Sequence, residues 1–298
     1  MKKALVLFLA LLLIAGCAAG NEGTEQNKET ATPATEETAG TDTTSQPTKT
    51  MTEFDGENIE VVTSASIVQP DFIQHYLPKG YTDSESKKAM FVIADPRYDS
   101  VTYDLANTAM KHLEENGIEV VARDLYTMRF NPVLMPADFY NAKDGFGETP
   151  EDVKTEQEYI TRSDYIIFVY PNWHDSETAM LKGYKERVFA KQFAYEDTED
   201  GLKGKLSGKG VYTIMNCGWL GGGRGSHGDG IIDKETWDKY MSAFKVFDDD
   251  TCGFWGTENL GRFVNDRTPS NTSADYANEI EALRTALKSH LDKVFFEK

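Results

Sequence analysis

Residues 165–195, YIIFVYPNWHDSETAMLKGYKERVFAKQFAY, decide how the rest of the chain is read. Tyr165 to Tyr170 is a short, unbroken apolar run of aromatic and β-branched residues, the pattern of a strand covered on both faces. Pro171 ends it, because proline has no N–H to give to a neighbouring strand. Asp175 and Ser176 are good helix-capping residues, and Met180, Leu181, Tyr184 and Val188 follow at helical spacing. The unit is therefore a strand, a tight polar and aromatic loop, and a helix. In open parallel sheets ligands rest at the carboxyl ends of strands, so Pro171 to Ser176 is the place for a planar cofactor.

The same alternation recurs on both sides of this stretch. Ala89 to Ala94 is a first buried strand, followed by a loop from Asp95 to Thr102. A helix then carries Ala106, Ala109, Met110 and Leu113 on one stripe and stops at Asn116-Gly117. Ile118 to Arg123 is a second strand, and a longer segment leads to a helix from about Pro150 to Arg162. Lys209 to Met215 is the fourth strand. A glycine-rich loop, Gly218 to Gly230, precedes a helix around Lys234 to Phe247, and Thr251 to Gly256 reads as the fifth strand. The last helix places Tyr276, Ile280, Leu283, Leu287, Leu291 and Val294 on one face. Five strands alternating with helices predict an α/β, doubly wound five-stranded parallel sheet.

The ends of the chain read differently. Residues 1–16 have a basic start at Lys2 and Lys3, an apolar run from Ala4 to Leu13 and small residues before Cys17, the layout of a signal peptide. Ile14-Ala15-Gly16-Cys17 resembles a bacterial lipobox, which makes Cys17 the expected lipidation site and predicts a lipid anchor in a membrane, facing outside the cytoplasm. An ordinary signal peptide or an uncleaved anchor are the alternatives. Residues 17–50 are rich in Thr, Glu, Ala and Pro and read as a disordered tether. Residues 51–87 are an extension of uncertain role, in which Asp55 to Val68 either adds an edge strand or lies along the domain. Residues 88–298 form the globular part.

A net charge of −18 argues against nucleic acid as a partner and against electrostatic attraction to anionic lipid. Five histidines include no HxH or HExxH spacing, so no metal site is expected. Cys217 follows a predicted strand and Cys252 opens the next. Parallel neighbours would set them at opposite ends of the sheet, beyond the roughly 7 Å between Cα atoms that a disulfide spans, so two free thiols are expected.

The central stretch resembles the flavodoxin-like NAD(P)H:quinone reductases. Their third strand ends in proline with tryptophan close behind and runs into Ala-x-Leu-Lys-Gly-x-x-(Asp/Glu)-Arg-Val, matched here by Pro171, Trp173, Ala179, Leu181, Lys182, Gly183, Glu186, Arg187 and Val188. Phe193-Ala194-Tyr195 matches as well. So do Asp124-Leu125-Tyr126-x-Met128-x-Phe130-Asn131-Pro132 after the second strand, His227-Gly228-Asp229 after the glycine loop, and Cys252-Gly253-Phe254. The likeness covers about residues 88 to 295. It implies the strand order 2-1-3-4-5 with the ligand at the switch point.

The resemblance also implies a chemistry: a flavin, FAD or FMN, takes hydride from NAD(P)H at N5 and passes two electrons to a quinone-like small molecule. It implies the sites too. The first loop has Asp95 where the family has histidine, with Ser100 and Thr102 at a helix N-terminus for the flavin phosphates and Arg97 as a compensating charge. The second loop offers Pro171, Asn172, Trp173 as an apolar wall, and His174 toward the ring or substrate. The third offers Asn216, Cys217 and Gly218. His227 aligns with the family's histidine that balances charge on the reduced flavin and is the expected catalytic residue. Asp175, Thr178 and the lack of a tyrosine in the third loop depart from the family. They keep open an alternative: a surface lipoprotein of this fold that binds flavin or another ligand without NAD(P)H oxidoreductase activity. The relatives dimerise, so a homodimer is among the implied partners.

Overall fold

The computed structural model of the protein describes residues 79–220, 233–269 and 273–297. Cys17, the tether, residues 51–78 of the extension and His227 lie outside the described residues. The described elements run β1 Lys88–Ile93, α1 Val101–Glu115, β2 Glu119–Asp124, α2 Pro136–Asp144, α3 Glu151–Arg162, β3 Tyr165–Asn172 and α4 Ala179–Val188. They continue with β4 Tyr195–Thr198, β5 Gly201–Gly204, β6 Gly210–Cys217, α5 Lys234–Trp255, β7 Glu258–Asp266 and α6 Tyr276–Phe295.

β2, β1, β3, β6 and β7 form one sheet in that order, with every pair parallel. Set aside the β4–β5 hairpin, and this is the 2-1-3-4-5 order expected from the sequence. The chain reverses its winding direction between β1 and β3, so the switch point falls at their carboxyl ends. Because strand side chains alternate, each central strand feeds two cores. Phe91, Ile93, Ile167 and Val169 meet α1 and α6 on one face. Met90, Val92, Ile166 and Phe168 meet Ile160 of α3, Leu181 and Tyr184 of α4, and Trp255 of α5 on the other. The unbroken apolar runs of the sequence are explained by this double coverage.

The fifth strand is not where the sequence reading put it. Thr251 to Gly256 forms the last turns of α5 and its cap, with Cys252 and Trp255 turned inward at a spacing of three and Gly256 in the left-handed region at φ 74. A six-residue apolar segment fits either period, and here it continues the helix before it. The actual edge strand, β7, is only half-buried and carries Arg262 and Asn265, so it lacks the apolar run that a central strand shows. Cys217 and Cys252 are both free and buried. They do not lie at opposite ends of neighbouring strands as expected, since Cys252 belongs to α5.

Two further elements were not read from the sequence. α2 buries none of its residues. The β4–β5 hairpin packs against the end of α5 so closely that a Cβ on Gly204 would lie 2.1 Å from the Gly256 nitrogen.

Several of the residues that carry the family likeness are packing devices. α4 lies on the Phe130–Pro132 loop, and a Cβ on Gly183 would sit 2.0 Å from the Pro132 carbonyl oxygen. Arg187, nearly buried, clamps the same loop. Its Nη1 donates to the Asn131 carbonyl at 2.7 Å and to Asp152 Oδ2 at 2.5 Å, its Nε donates to Asp138 at 3.2 Å, and its guanidinium lies over the Phe130 ring.

Candidate functional site

Three loops leave the carboxyl edge of the sheet side by side, after β1, β3 and β6. In the first, Asp95 follows the end of β1 and is wholly buried. A buried carboxylate needs partners, and it has them. Arg97 grips it with both ends of its fork, Nε to Oδ1 at 3.0 Å and Nη2 to Oδ2 at 2.9 Å. The Arg97 backbone N–H donates to Oδ1 at 2.9 Å, and Ser100 Oγ donates to Oδ2, also at 2.9 Å. Ser100 is also the N-cap of α1, its Oγ accepting from the Tyr103 N–H at 3.4 Å. The first turn of a 15-residue helix therefore opens at the strand ends, where its free N–H groups and dipole favour an anion.

Behind this turn, Tyr103 donates its hydroxyl to Asp124 Oδ2 at 2.7 Å, and Asp124 Oδ1 accepts from the Tyr126 and Thr127 N–H groups. Burial pushes the Asp124 carboxyl up to about 6, against hydrogen bonds that lower it.

In the second loop β3 continues two residues past Tyr170, where the sequence reading ended it: buried Pro171 stays in register with Asn216, and Asn172 with Cys217. Asn172 Oδ1 is buried and has no hydrogen-bond partner among the described residues. Trp173 and Ser176 exchange backbone hydrogen bonds of 3.0 and 3.1 Å, with His174 and Asp175 between them at φ 55 and 57. Two consecutive positive φ values define a type I′ turn. Non-glycine residues held there carry local strain, a feature that clusters at ligand clamps.

The helix cap is Thr178 rather than Asp175 or Ser176. Its Oγ1 accepts from the Leu181 N–H and donates to the Ala94 carbonyl at 3.1 Å, tying the second loop to the first. A threonine here thus has a structural reason. Trp173 remains 39% exposed, and the Arg97 guanidinium lies 5.2 Å from the centre of its ring. His174 and Asp175 are exposed at the turn's tip.

In the third loop Asn216 Nδ2 reaches Thr102 Oγ1 at 3.4 Å, while its Oδ1 accepts from Asn265 Nδ2 at 2.8 Å. Gly218 faces open space, with nothing within 4 Å of where a Cβ would be. The Cys217 side chain points into the core at 2% exposure, and burial pushes its thiol up to about 12, so only its backbone is at the edge. Asp95, Ser100, Thr102, Pro171, Asn172, Trp173, Asn216 and Gly218 thus share one edge. Asn265 was missed because strand five was misplaced; the β-forming pair Phe263-Val264, set between polar residues, was the available signal.

A cleft of about 940 Å³ opens beside this edge and shares Asn172, Asp175 and Ser176 with it. Phe139 of α2, Phe247 and Phe254 of α5 and Arg262 of β7 line the rest. Arg262 is held by Asp248 through Nε and Nη2 at 2.9 and 2.7 Å and donates to the Tyr170 hydroxyl at 2.9 Å. The cleft is centred toward α4 and α5 and not on the α1 terminus, so the anion cradle and the cleft are neighbouring compartments.

The chain belongs to the flavodoxin-like fold family, which matches residues 87–291. Among curated proteins it is 38% identical over 114 residues to an uncharacterized NAD(P)H oxidoreductase of Haemophilus influenzae, covering 38% of this chain and 55% of that one. It is 29% identical over 161 residues to NAD(P)H dehydrogenase [quinone] 1 of Rattus norvegicus, covering 48% and 59%. The matches therefore span a little over half the length of these relatives. Among solved structures, a protein assigned as a quinone reductase from Klebsiella pneumoniae superposes with a TM-score of 0.57 at 25% identity, over 71% of this chain and 86% of that one.

Proposed function

We propose that the protein is a flavin-dependent oxidoreductase of the NAD(P)H:quinone type. The observation that carries the reading is the meeting of three loops around Trp173, between an open helix N-terminus and the buried Asn172 Oδ1, which has no hydrogen-bond partner among the described residues. These residues fit a flavin. The α1 terminus with Ser100 and Thr102 suits its phosphate, Trp173 suits its flat ring, Asn172 Oδ1 suits an N–H on the ring's polar edge, and Gly218 leaves room for close approach. Asp95 does not oppose a phosphate, because Arg97 and Ser100 already hold its charge.

When bound, the flavin supplies two-electron hydride acceptance and donation at N5. The chain's residues bind, orient and exclude water, and His227, by its match to the family motif, holds a proton against charge that develops on the ring. NAD(P)H is the proposed donor, by the names of the relatives. A quinone-like acceptor suits the aromatic cleft beside the ring site. A homodimer is supported by the apolar side chains exposed at that cleft, among them Phe139 and Phe247. Cys17 as a lipid anchor, holding the protein at a membrane outside the cytoplasm, rests on residues 1–17 alone.

A second reading, ligand binding without hydride chemistry, is favoured by the third loop, where Trp219 is exposed and the family's tyrosine is missing. The visible spectrum of purified protein supplied with FAD or FMN tests both. Failure of either flavin to bind at micromolar concentration overturns the first reading. Binding without anaerobic bleaching by NADH or NADPH selects the second. His227→Ala should slow bleaching and leave flavin bound; an unchanged rate removes His227 from the site.

A further inference from the structure

The first loop contains an arrangement that the family likeness does not supply. Asp95 stands where the quinone reductases carry histidine, and it is wholly buried. Its four short contacts, three with Arg97 and one with Ser100, leave it no capacity for a ligand. The arginine it grips is different. The Arg97 side chain is 50% exposed, and only its Nε and Nη2 hydrogen-bond to Asp95. Nη1 donates to none of the described residues, so the outer edge of the guanidinium is unused.

Two contacts fix where that edge lies. Asp95 Oδ2 is shared between Arg97 Nη2 and Ser100 Oγ, which sets the guanidinium beside the N-cap of α1. The stack on Trp173 sets it against the aromatic wall of the second loop. A planar fork held on one side by a buried carboxylate and braced by a ring is pre-organised, and its free edge suits phosphate oxygens.

Resting on the flavin reading above, we infer that Asp95 and Arg97 together form the phosphate subsite of this site. Asp95 is the positioning residue and Arg97 the binding one. The guanidinium takes the place of the histidine donor, and the pair selects a phosphorylated flavin over one that lacks phosphate. Asp95 is then no defect in the loop but the anchor that aims Arg97.

The test is direct binding, read by quenching of flavin fluorescence on the apo form of the full chain, with FMN and riboflavin as probes. Wild type should bind FMN more tightly than riboflavin, and rising ionic strength should weaken FMN binding more. Arg97→Gln should weaken FMN by about tenfold to a hundredfold, the range of one charged hydrogen-bonded contact, and leave riboflavin within about twofold. Because Arg97→Gln leaves the Asp95 carboxylate buried and short of partners, a second variant, Asp95→His/Arg97→Gln, removes that charge and restores the family's donor. It should recover FMN affinity toward wild type. Equal losses for FMN and riboflavin in Arg97→Gln would reduce Arg97 to a prop for Trp173 and overturn the inference while flavin binding stands. No loss for either probe overturns it likewise. Wild type binding neither flavin overturns this inference and the parent reading together.

Discussion

Replacing Gly183 with alanine sets two effects of opposite sign against each other. In the interior of a helix the change ordinarily helps, by about 1 kcal/mol. In α4 the added methyl would lie 2.0 Å from the Pro132 carbonyl oxygen and 2.6 Å from the Pro132 Cβ. The helix and the loop would have to separate by on the order of 1 Å to restore ordinary contact. Separation disturbs packing, at about 1–3 kcal/mol. It also stretches the 2.7 Å hydrogen bond from Arg187 to the Asn131 carbonyl, a charged contact of about 1.5–3 kcal/mol. The clash therefore wins, with a net loss of about 2–4 kcal/mol. For a domain of this size each kcal/mol shifts the melting temperature by about 2–4 °C, so a fall of roughly 5–15 °C is expected. Circular dichroism during thermal unfolding of flavin-free protein reads it. Pro132→Ala should not rescue the variant, because the nearest obstacle is a backbone oxygen. A Gly183→Ala chain melting at or above wild type would refute the reasoning, since helix propensity would then have outweighed a contact that was not tight.

Other predictions follow from the site and its surroundings. The Asp124 carboxyl is raised from 3.8 to about 6, so its stabilising contribution is present in full below pH 3.8 and is lost as pH rises through about 6. Asp124→Asn should keep the Tyr126 and Thr127 hydrogen bonds and donate to the Tyr103 hydroxyl, whose own proton can turn to the Asp95 carbonyl at 3.0 Å. Its stability relative to wild type should thus rise by about 2 kcal/mol between pH 4 and 7 in denaturant titrations, and parallel pH profiles would refute this. In a Cys17→Ala chain, a thiol reagent should label neither Cys217 nor Cys252 until denaturant is added, since both are buried and have raised pKa values; rapid labelling in native buffer would contradict their placement. Trp173→Ala should weaken flavin binding by about tenfold, through loss of a stacking surface; retained affinity would exclude Trp173 as the wall.

The scaffold was legible in the sequence wherever a segment is buried on two sides. β1 and β3 are such segments, and their apolar runs admit one reading. Burial on one side leaves ambiguity. β7 at the sheet edge mixes Arg262 and Asn265 with Phe263 and Val264, while the inward face of α5 offers Cys252 and Trp255 in a short apolar cluster that imitates a strand. The hairpin was signalled by Asp200-Gly201, with Gly201 at φ 113, but its strands are too short to show a period.

At the site, residue types were readable and orientations were not. That Asp95 would turn inward and consume one side of Arg97 depends on three-dimensional neighbours. So does the side of the sheet edge to which Cys217 points. Thr178 looked like a functional departure from the family, yet its hydroxyl's bonds to the Ala94 carbonyl and the Leu181 N–H make it a fastening.

The back-to-back contact of Gly204 and Gly256 has a mechanical consequence. With no side chain between them, and with the Leu206 N–H bonded to the Trp255 carbonyl at 3.0 Å, β5 is fastened directly to the last turn of α5. Phe254 and Trp255 of that turn line the cleft, and Leu202 stands exposed on β5. A side chain at either glycine would therefore displace the helix turn that carries two residues of the cleft wall.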